Sequence, residues 1–382
     1  ELYIWDRMSS IKPLVKKEVF ASVNERTYGY DNYADPAKPL RIAFIGGSIT
    51  QQGKYTTPLK KSLTEFLQKD NPDRSITYVN HAVDGGVGGT GSDLGVFRLQ
   101  KDVIDTNPDL VFVEFAVNDA SNTNRVVTME GILRQLMKLD HQPMVVLIDV
   151  TTEDHKSLKS IEDYKPLMQA YGPGYVNLAE YLIENEASEE NPDGAFVWKN
   201  EYLEQYPNAT ALTGSDGVHP SQEGGAIYAS YISKVLTENH ENFFKKMNYV
   251  QDAVSGYEYR NPRMVSWKDG QFDENWTQTN EMSWSFRDGV ATAKSAGAKV
   301  TYTFTGSTIG LYVPKSTSGG SAAYSIDNGA YTGNVDISSG TTTKMEMASM
   351  IVKNLGEGEH TITLTVNDLG DKYFKFGYFI VD

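Results

Sequence analysis

The sequence has no cysteine, which excludes disulfides, thiolate metal sites and a cysteine nucleophile. Histidine is scarce, with 6 residues in a chain of 382, and the sequence lacks the histidine-rich or carboxylate-rich spacing of a metal site. No apolar run in the printed sequence approaches the roughly 18 residues that a membrane-spanning helix needs. Any chemistry must therefore use hydroxyl, imidazole, carboxylate and amide groups, and we expect no metal and no organic cofactor.

Positive charge is in the minority. Lys and Arg number 35 against 50 Asp and Glu, which gives a formal net charge of −15. This balance disfavours nucleic acid and anionic membrane surfaces as partners. We expect a small molecule or a polysaccharide as the partner, and the sequence carries no signal of oligomeric state.

The chain begins at Glu1, without the basic and apolar pattern of a signal peptide. We interpret it as a mature exported protein, secreted or at the cell surface, from which a signal peptide has been removed. A chain trimmed for another reason would begin in the same way.

Up to about residue 240, short apolar runs alternate with amphipathic stretches. This alternation predicts an α/β fold with a parallel sheet and helices on both of its faces. In such a fold the functional residues lie at the carboxyl ends of the strands. The predicted strands are 41–45, 76–79, 110–115, 144–150 and 175–178, and the predicted helices are 55–69, 92–105, 129–139, 161–171 and 222–237.

From about residue 283 the apolar residues recur with period two, and turn signals follow about every ten residues. Asp327, Asn328 and Gly329 predict a hairpin turn. We expect an all-β sandwich here. The predicted organisation is an N-terminal segment packed on a domain (1–38), an α/β domain (39–245) and a β-sandwich domain (246–382).

Ser48 follows Gly46 and Gly47 at the end of the first predicted strand, immediately before a helix. Such a turn can expose a serine hydroxyl near the positive end of the helix, which is how a nucleophile is presented. A serine at this place can equally be a plain helix cap. The turn alone favours neither interpretation.

Asp216 and His219 lie in a short polar turn before the last helix. An aspartate three residues before a histidine can accept the Nδ1 proton and leave Nε2 free to act as a base. A capping aspartate beside a surface histidine is the common alternative.

Two loops after strands offer hydrogen-bond donors for a developing oxyanion. The first is the glycine-rich loop at 84–91, where a backbone N–H can approach a substrate closely. The second contains Asn118, whose side-chain amide can donate, although a turn or cap residue would look the same.

Four blocks taken together resemble the SGNH hydrolases, the GDSL-like esterase and lipase superfamily. They are GGSIT at 46–50, GGTGS at 88–92, AVND at 116–119 and DGVHP at 216–220. The resemblance covers about residues 40–238 and implies a flavodoxin-like three-layer α/β/α domain. The β-rich half loosely resembles the jelly-roll modules attached to carbohydrate-active enzymes.

The resemblance also implies a serine esterase mechanism. By this resemblance Ser48 would be the nucleophile, His219 the base and Asp216 the residue that orients it. The resemblance likewise implies an oxyanion hole formed by Ser48, Gly89 and Asn118. Three positions depart from the family pattern: an often acidic residue is absent from the Gly46-Gly47-Ser48 turn, Ala116 replaces a glycine, and Asp84 stands where an asparagine often begins the loop.

For the substrate we expect a short acyl ester, acetyl first, on a carbohydrate, because no long apolar stripe suits an acyl chain. A lipase, lysophospholipase or thioesterase of the same superfamily is the first alternative. A non-catalytic carbohydrate-binding protein is the second, with aromatic residues that could stack on sugars or fill a core. These are Trp267, Trp276, Trp284, Tyr312 and Tyr324.

Two further features have alternative interpretations. Residues 86–91 also match the dinucleotide fingerprint GxGxxG, with Glu114 at the distance of a ribose ligand, but the match follows the second strand instead of the first. The stretch 187–212 can overhang the pocket or pack in the core.

Overall fold

A five-stranded parallel sheet forms the centre of the N-terminal domain in the computed structural model, which describes residues 26–83, 91–279, 286–340 and 345–382. The strands of this domain are β1 (Thr27–Tyr28), β2 (Leu40–Gly46), β3 (Ile76–Asn80), β4 (Leu110–Glu114), β5 (His141–Gln142), β6 (Met144–Asp149), β7 (Gly174–Asn177), β8 (Phe196–Val197) and β9 (Thr210–Ala211). The central sheet has the order β3-β2-β4-β6-β7. Every residue of β4 and β6 is buried, because these strands lie inside the sheet and are covered on both faces.

Helices cover both faces of this sheet. They are α1 (Gly29–Ala34), α2 (Ser48–Gln51), α3 (Thr56–Leu67), α4 (Ser92–Asp102), α5 (Arg125–Lys138), α6 (Leu158–Tyr171), α7 (Leu178–Glu184), α8 (Gln222–Glu238) and α9 (His240–Phe243). The apolar residues of α4, α5 and α6 pack on one face, and those of α3, α7 and α8 pack on the other. The predicted three-layer α/β fold is confirmed, with bounds that differ from the prediction by a few residues at most.

The C-terminal domain is all β and antiparallel. Its strands are β10 (Arg263–Ser266), β11 (Gln271–Phe272), β12 (Trp276–Thr279), β13 (Val290–Ala293), β14 (Lys299–Thr305), β15 (Ile309–Lys315), β16 (Ser321–Ile326), β17 (Tyr331–Asp336), β18 (Met345–Val352), β19 (Glu359–Val366), β20 (Lys375–Phe376) and β21 (Tyr378–Val381). They form sheets of four, five and three strands among the described residues. Asp327, Asn328 and Gly329 connect β16 to β17 with positive φ angles, as their turn signal predicts.

The two domains share one of the hydrophobic clusters of the structure. The cluster between the sheet and helices α4, α5 and α6 also contains Phe286, Tyr312 and Tyr378 from the antiparallel domain. Phe286 is 2% exposed and packs against Tyr312, with the ring centroids 5.0 Å apart. The domains are therefore joined by buried apolar surface as well as by the chain.

The connection between α9 and β10 adds polar contacts to this junction. The carboxylate of Glu130 on α5 accepts hydrogen bonds from the backbone N–H groups of Val254 (2.6 Å) and Ser255 (2.8 Å). Arg134, one turn further along α5, donates to the carbonyl oxygens of Val250 and Gln251. The linker is thus held along α5.

Residues 26–38 lie against the parallel-sheet domain. The short strand β1 pairs in parallel with β5, and Asn32 of α1 donates to the buried carboxylate of Asp109 at 2.7 Å. Within the described ranges, no helix is long and apolar enough to cross a membrane.

Replacing Phe286 tests the shared core. We expect Phe286→Ala to lower the free energy of unfolding by about 3–5 kcal/mol, because it leaves a cavity in the cluster that the two domains share. The volume-conserving Phe286→Leu should cost less than about 1.5 kcal/mol. Calorimetry of both variants should show one cooperative transition that moves as a whole. Two separate transitions, of which only the one for the antiparallel domain moves, would contradict the shared core.

Candidate active site

Ser48 lies in a tight turn at the carboxyl end of β2. The strand ends at Gly46, Gly47 is extended (φ −89°, ψ −158°), and helix α2 begins at Ser48. The side chain of Asn118, from the loop after β4, lies so close to Gly47 that a Cβ at this position would overlap its amide oxygen. A glycine is therefore required at 47, and the Asn118 side chain is placed beside the peptide that carries Ser48.

His219 joins Ser48 to Asp216. Its Nδ1 is 2.7 Å from Asp216 Oδ2, and its Nε2 is 2.7 Å from Ser48 Oγ. A carboxylate can only accept a hydrogen bond, so Nδ1 carries the proton and Nε2 accepts from the serine hydroxyl. Ser48 and His219 are separated by 171 positions along the chain. The structure thus brings together the three side chains that the sequence singles out.

The turn from Asp216 to His219 is shaped around its carboxylate. Asp216 Oδ1 accepts the backbone N–H groups of Val218 (2.9 Å) and His219 (3.0 Å). Partial burial raises the pKa of Asp216, but the hydrogen bonds from the His219 ring and these two N–H groups outweigh burial and leave the pKa below its ordinary value. The carboxylate is therefore ionised over the whole neutral range.

Gly217, inside this turn, adopts φ +68°, which only glycine reaches without strain. Its carbonyl accepts the backbone N–H of Glu153 at 3.0 Å, and the Glu153 side chain covers its Cα. Lys199 forms an ion pair with Glu153 at 2.8 Å, and the Tyr202 hydroxyl donates to the same carboxylate. Sequence analysis missed Glu153, whose only signal is its place after the strand β6.

The stretch 187–212 contacts the segment that leads into the turn from Asp216 to His219. Trp198 is 1% exposed, and its carbonyl accepts both the N–H (2.9 Å) and the hydroxyl (2.5 Å) of Thr213. Of the two interpretations offered for this stretch, core packing holds for Phe196 and Trp198, both of which are buried.

Three buried carboxyl groups lie near the carboxyl edge of the sheet. Burial raises the pKa of Glu114 to about 7, that of Asp149 to about 7 and that of Asp119 to about 6. Glu114 Oε2 accepts from the Thr50 hydroxyl at 2.9 Å, and that hydroxyl also pairs with Tyr55 at 2.8 Å. Glu114 therefore supports the turn that carries Ser48 from inside the protein. Its side chain is buried, whereas a carboxylate that binds a ribose must be accessible to the ligand.

Asp119 ties the loop that carries Asn118 to its neighbours. Its carboxylate accepts the N–H (2.9 Å) and the hydroxyl (2.5 Å) of Ser92, at the start of α4, and the hydroxyl of Tyr164. Asn122 donates to the same carboxylate at 3.1 Å. These bonds fix the position of the residue next to Asn118.

Gly89, proposed from sequence as an oxyanion donor, lies outside the described residues, as do Asp84 and Trp284. Of the aromatic residues considered for sugar stacking, Trp276 and Tyr312 are buried in the core, whereas Trp267 and Tyr324 are partly exposed. Across the part of the chain that the structure describes, no three His, Asp or Glu side chains form a metal-ligating group.

Comparison with known proteins bears on the family and the fold. A model of the GDSL-like lipase/acylhydrolase family matches residues 44–227. No curated protein matches the sequence. Two similar solved structures are those of a two-domain esterase (CEX) active on acetylated mannans, one of them co-crystallised with mannopentaose. They are 19% and 18% identical, each with a TM-score of 0.66 and with 96% of this chain and 94% of theirs covered, which shows a shared two-domain fold.

The raised pKa of Glu114 predicts a pH dependence of stability. Because the folded state holds this proton more tightly than the unfolded state, the stabilisation is complete at acidic pH and is lost as pH rises through about 7. In the wild type, we expect Glu114 to lower the free energy of unfolding by a value on the order of 3 kcal/mol between about pH 4 and pH 8. In Glu114→Gln this contribution to the pH dependence should be absent, as measured by urea unfolding at both pH values. The exposed Glu65→Gln on α3 is the control. An unchanged pH dependence in Glu114→Gln would contradict the assignment.

Proposed function

We propose that this protein removes short acyl groups, acetyl above all, from carbohydrates. The chain contains a domain of the GDSL-like lipase/acylhydrolase family at residues 44–227 and is a serine ester hydrolase. The observation that carries the proposal is the His219 ring, hydrogen-bonded at 2.7 Å to both Ser48 and Asp216.

In the proposed mechanism Ser48 Oγ attacks the ester carbonyl while His219 Nε2 takes its proton. Asp216 stabilises the imidazolium that forms. The backbone N–H of Ser48 and the side-chain amide of Asn118 stabilise the oxyanion, with Gly89 as the third donor. His219 then protonates the leaving alcohol, and water hydrolyses the acyl-enzyme by the same steps in reverse.

The surroundings of the triad favour a hydroxyl-rich alcohol. The Asp216 side chain is 50% exposed and that of His219 is 31% exposed, so the site is open to a large substrate. Its neighbours Glu153, Lys199 and Tyr202 are polar and can hydrogen-bond hydroxyl groups. The mannan esterase shares the two-domain fold over 96% of this chain, which makes acetylated mannan the first polysaccharide to test.

Removing the nucleophile tests the mechanism. We expect Ser48→Ala to lower kcat on p-nitrophenyl acetate by about 10⁴-fold or more, because the acyl-enzyme cannot form. Ser62→Ala on α3 is the matched control, since in the described part of the chain that hydroxyl donates to the helix carbonyls of Pro58 and Leu59 and to no other group. Equal turnover by wild type and Ser48→Ala would contradict the mechanism.

The acyl preference is tested with a series of p-nitrophenyl esters. We expect kcat/KM to fall from acetyl through butyryl to octanoyl, and acetate to be released from acetylated mannan by wild type but not by Ser48→Ala. The site's open, polar edge offers little apolar surface to a long chain. A clear octanoyl preference would instead favour a lipase or thioesterase.

A further inference from the structure

A chain of charged residues runs from the antiparallel domain to the turn that carries Ser48. Arg287, between β12 and β13, forms an ion pair with Asp102 Oδ1 at the end of α4. Asp102 Oδ2 pairs with Arg98 one turn earlier, at 2.7 Å. Arg98 Nη2 donates to the carbonyl of Gly46 at 2.9 Å. Three side chains thus link the second domain to the last peptide of β2.

We infer that Arg287 is a positioning residue for catalysis, acting through Asp102 and Arg98 on the Ser48 turn. The inference rests on the proposed role of Ser48 as the nucleophile. It makes the antiparallel domain part of the catalytic unit, whatever else that domain binds.

The carbonyl of Gly46 is the group through which Arg287 would act on the Ser48 turn. Its carbonyl also accepts the N–H of Val83 at 3.0 Å, and Arg98 Nη1 donates to the carbonyl of His81 at 2.6 Å. Arg98 therefore clamps the end of β2 to the segment that follows β3. Because Gly47 and Ser48 come directly after this clamp, its position sets where the nucleophile lies.

The clamp depends on how Asp102 is shared. Arg98 is 3% exposed and Asp102 4% exposed, so water cannot readily replace a lost partner. With Arg287 present, each carboxylate oxygen of Asp102 has its own cation. Without Arg287, the carboxylate is expected to draw Arg98 into a two-pronged pair, the preferred geometry of guanidinium and carboxylate. Arg98 would then leave the Gly46 carbonyl.

The same interface provides a matched control. Lys101, also on α4, forms an ion pair at 2.5 Å with Asp288, the neighbour of Arg287. Their side chains are 31% and 28% exposed, and Lys101 also donates to the Tyr378 hydroxyl at 3.3 Å. Among the described residues, this pair makes no side-chain hydrogen bond to Asp102 or to β2. Lys101→Met therefore removes an ion pair between the domains without touching the clamp.

The experiment compares Arg287→Met, Arg287→Lys and Lys101→Met, using p-nitrophenyl acetate, an ester too small to reach a separate binding domain. We expect Arg287→Met to lower kcat about tenfold or more, since small displacements of a catalytic group cost up to about 10²-fold, with KM within about twofold. Arg287→Lys should recover part of the loss, and Lys101→Met should keep kcat within about twofold.

A second change separates positioning from general weakening of the fold. Adding Asp102→Asn to Arg287→Met should restore kcat, because the neutral amide no longer draws Arg98 away from Gly46. Hydrogen exchange of the peptide spanning residues 44–52 should accelerate in Arg287→Met and not in Lys101→Met, a readout that needs no substrate.

Equal kcat losses in Arg287→Met and Lys101→Met, or a double variant slower than Arg287→Met, would overturn the inference. So would unchanged exchange at 44–52. If wild type is active, Ser48→Ala is inactive and Arg287→Met equals wild type, the inference fails and the proposed function stands. If wild type itself has no esterase activity, the proposed function fails, and hydrogen exchange still decides whether Arg287 positions the turn.

Discussion

The hydrogen bonds of one imidazole connect the parts of this site. His219 lies between Ser48, in the turn after β2, and the carboxylate of Asp216. Because both ring nitrogens are hydrogen-bonded, the ring has a defined tautomer and a defined orientation. The surrounding contacts maintain this geometry. Gly47 lets Asn118 approach the serine turn, and Gly217 lets the Asp216 turn close against Glu153.

Behind the exposed triad lies a layer of buried polar groups. Glu114 supports the Ser48 turn through Thr50, Asp119 holds the loop of Asn118, and Arg98 clamps the strand end. Buried charges and carboxyl groups of this kind cost free energy unless they are partnered. These groups lie together at the carboxyl edge of the sheet, where they hold the loops that carry Ser48 and Asn118. We infer that the position of these loops is maintained at some cost in the free energy of unfolding.

Much of this arrangement could be predicted from the sequence. The alternation of short apolar runs with amphipathic stretches predicted the parallel sheet. Local motifs indicated Ser48, Asn118, Asp216 and His219, because each of these residues lies in a short motif that contains glycine, asparagine or proline. The pairing of Arg287 with Asp102 could not be predicted, since 185 positions separate them and periodicity does not show which faces of two domains meet. The role of Trp198 could not be predicted either, because the sequence is compatible with a residue overhanging the pocket, whereas the side chain is 1% exposed and packs in the core.

In the proposed mechanism Ser48 carries the acyl group during turnover. Mass spectrometry of enzyme quenched during hydrolysis of an acetyl ester tests it most directly, since a covalent intermediate accumulates when its hydrolysis is slow. We expect one added acetyl group on the peptide that contains Ser48. An acetyl group attached at another residue, or active enzyme that remains unmodified under conditions that trap the intermediate, would contradict it.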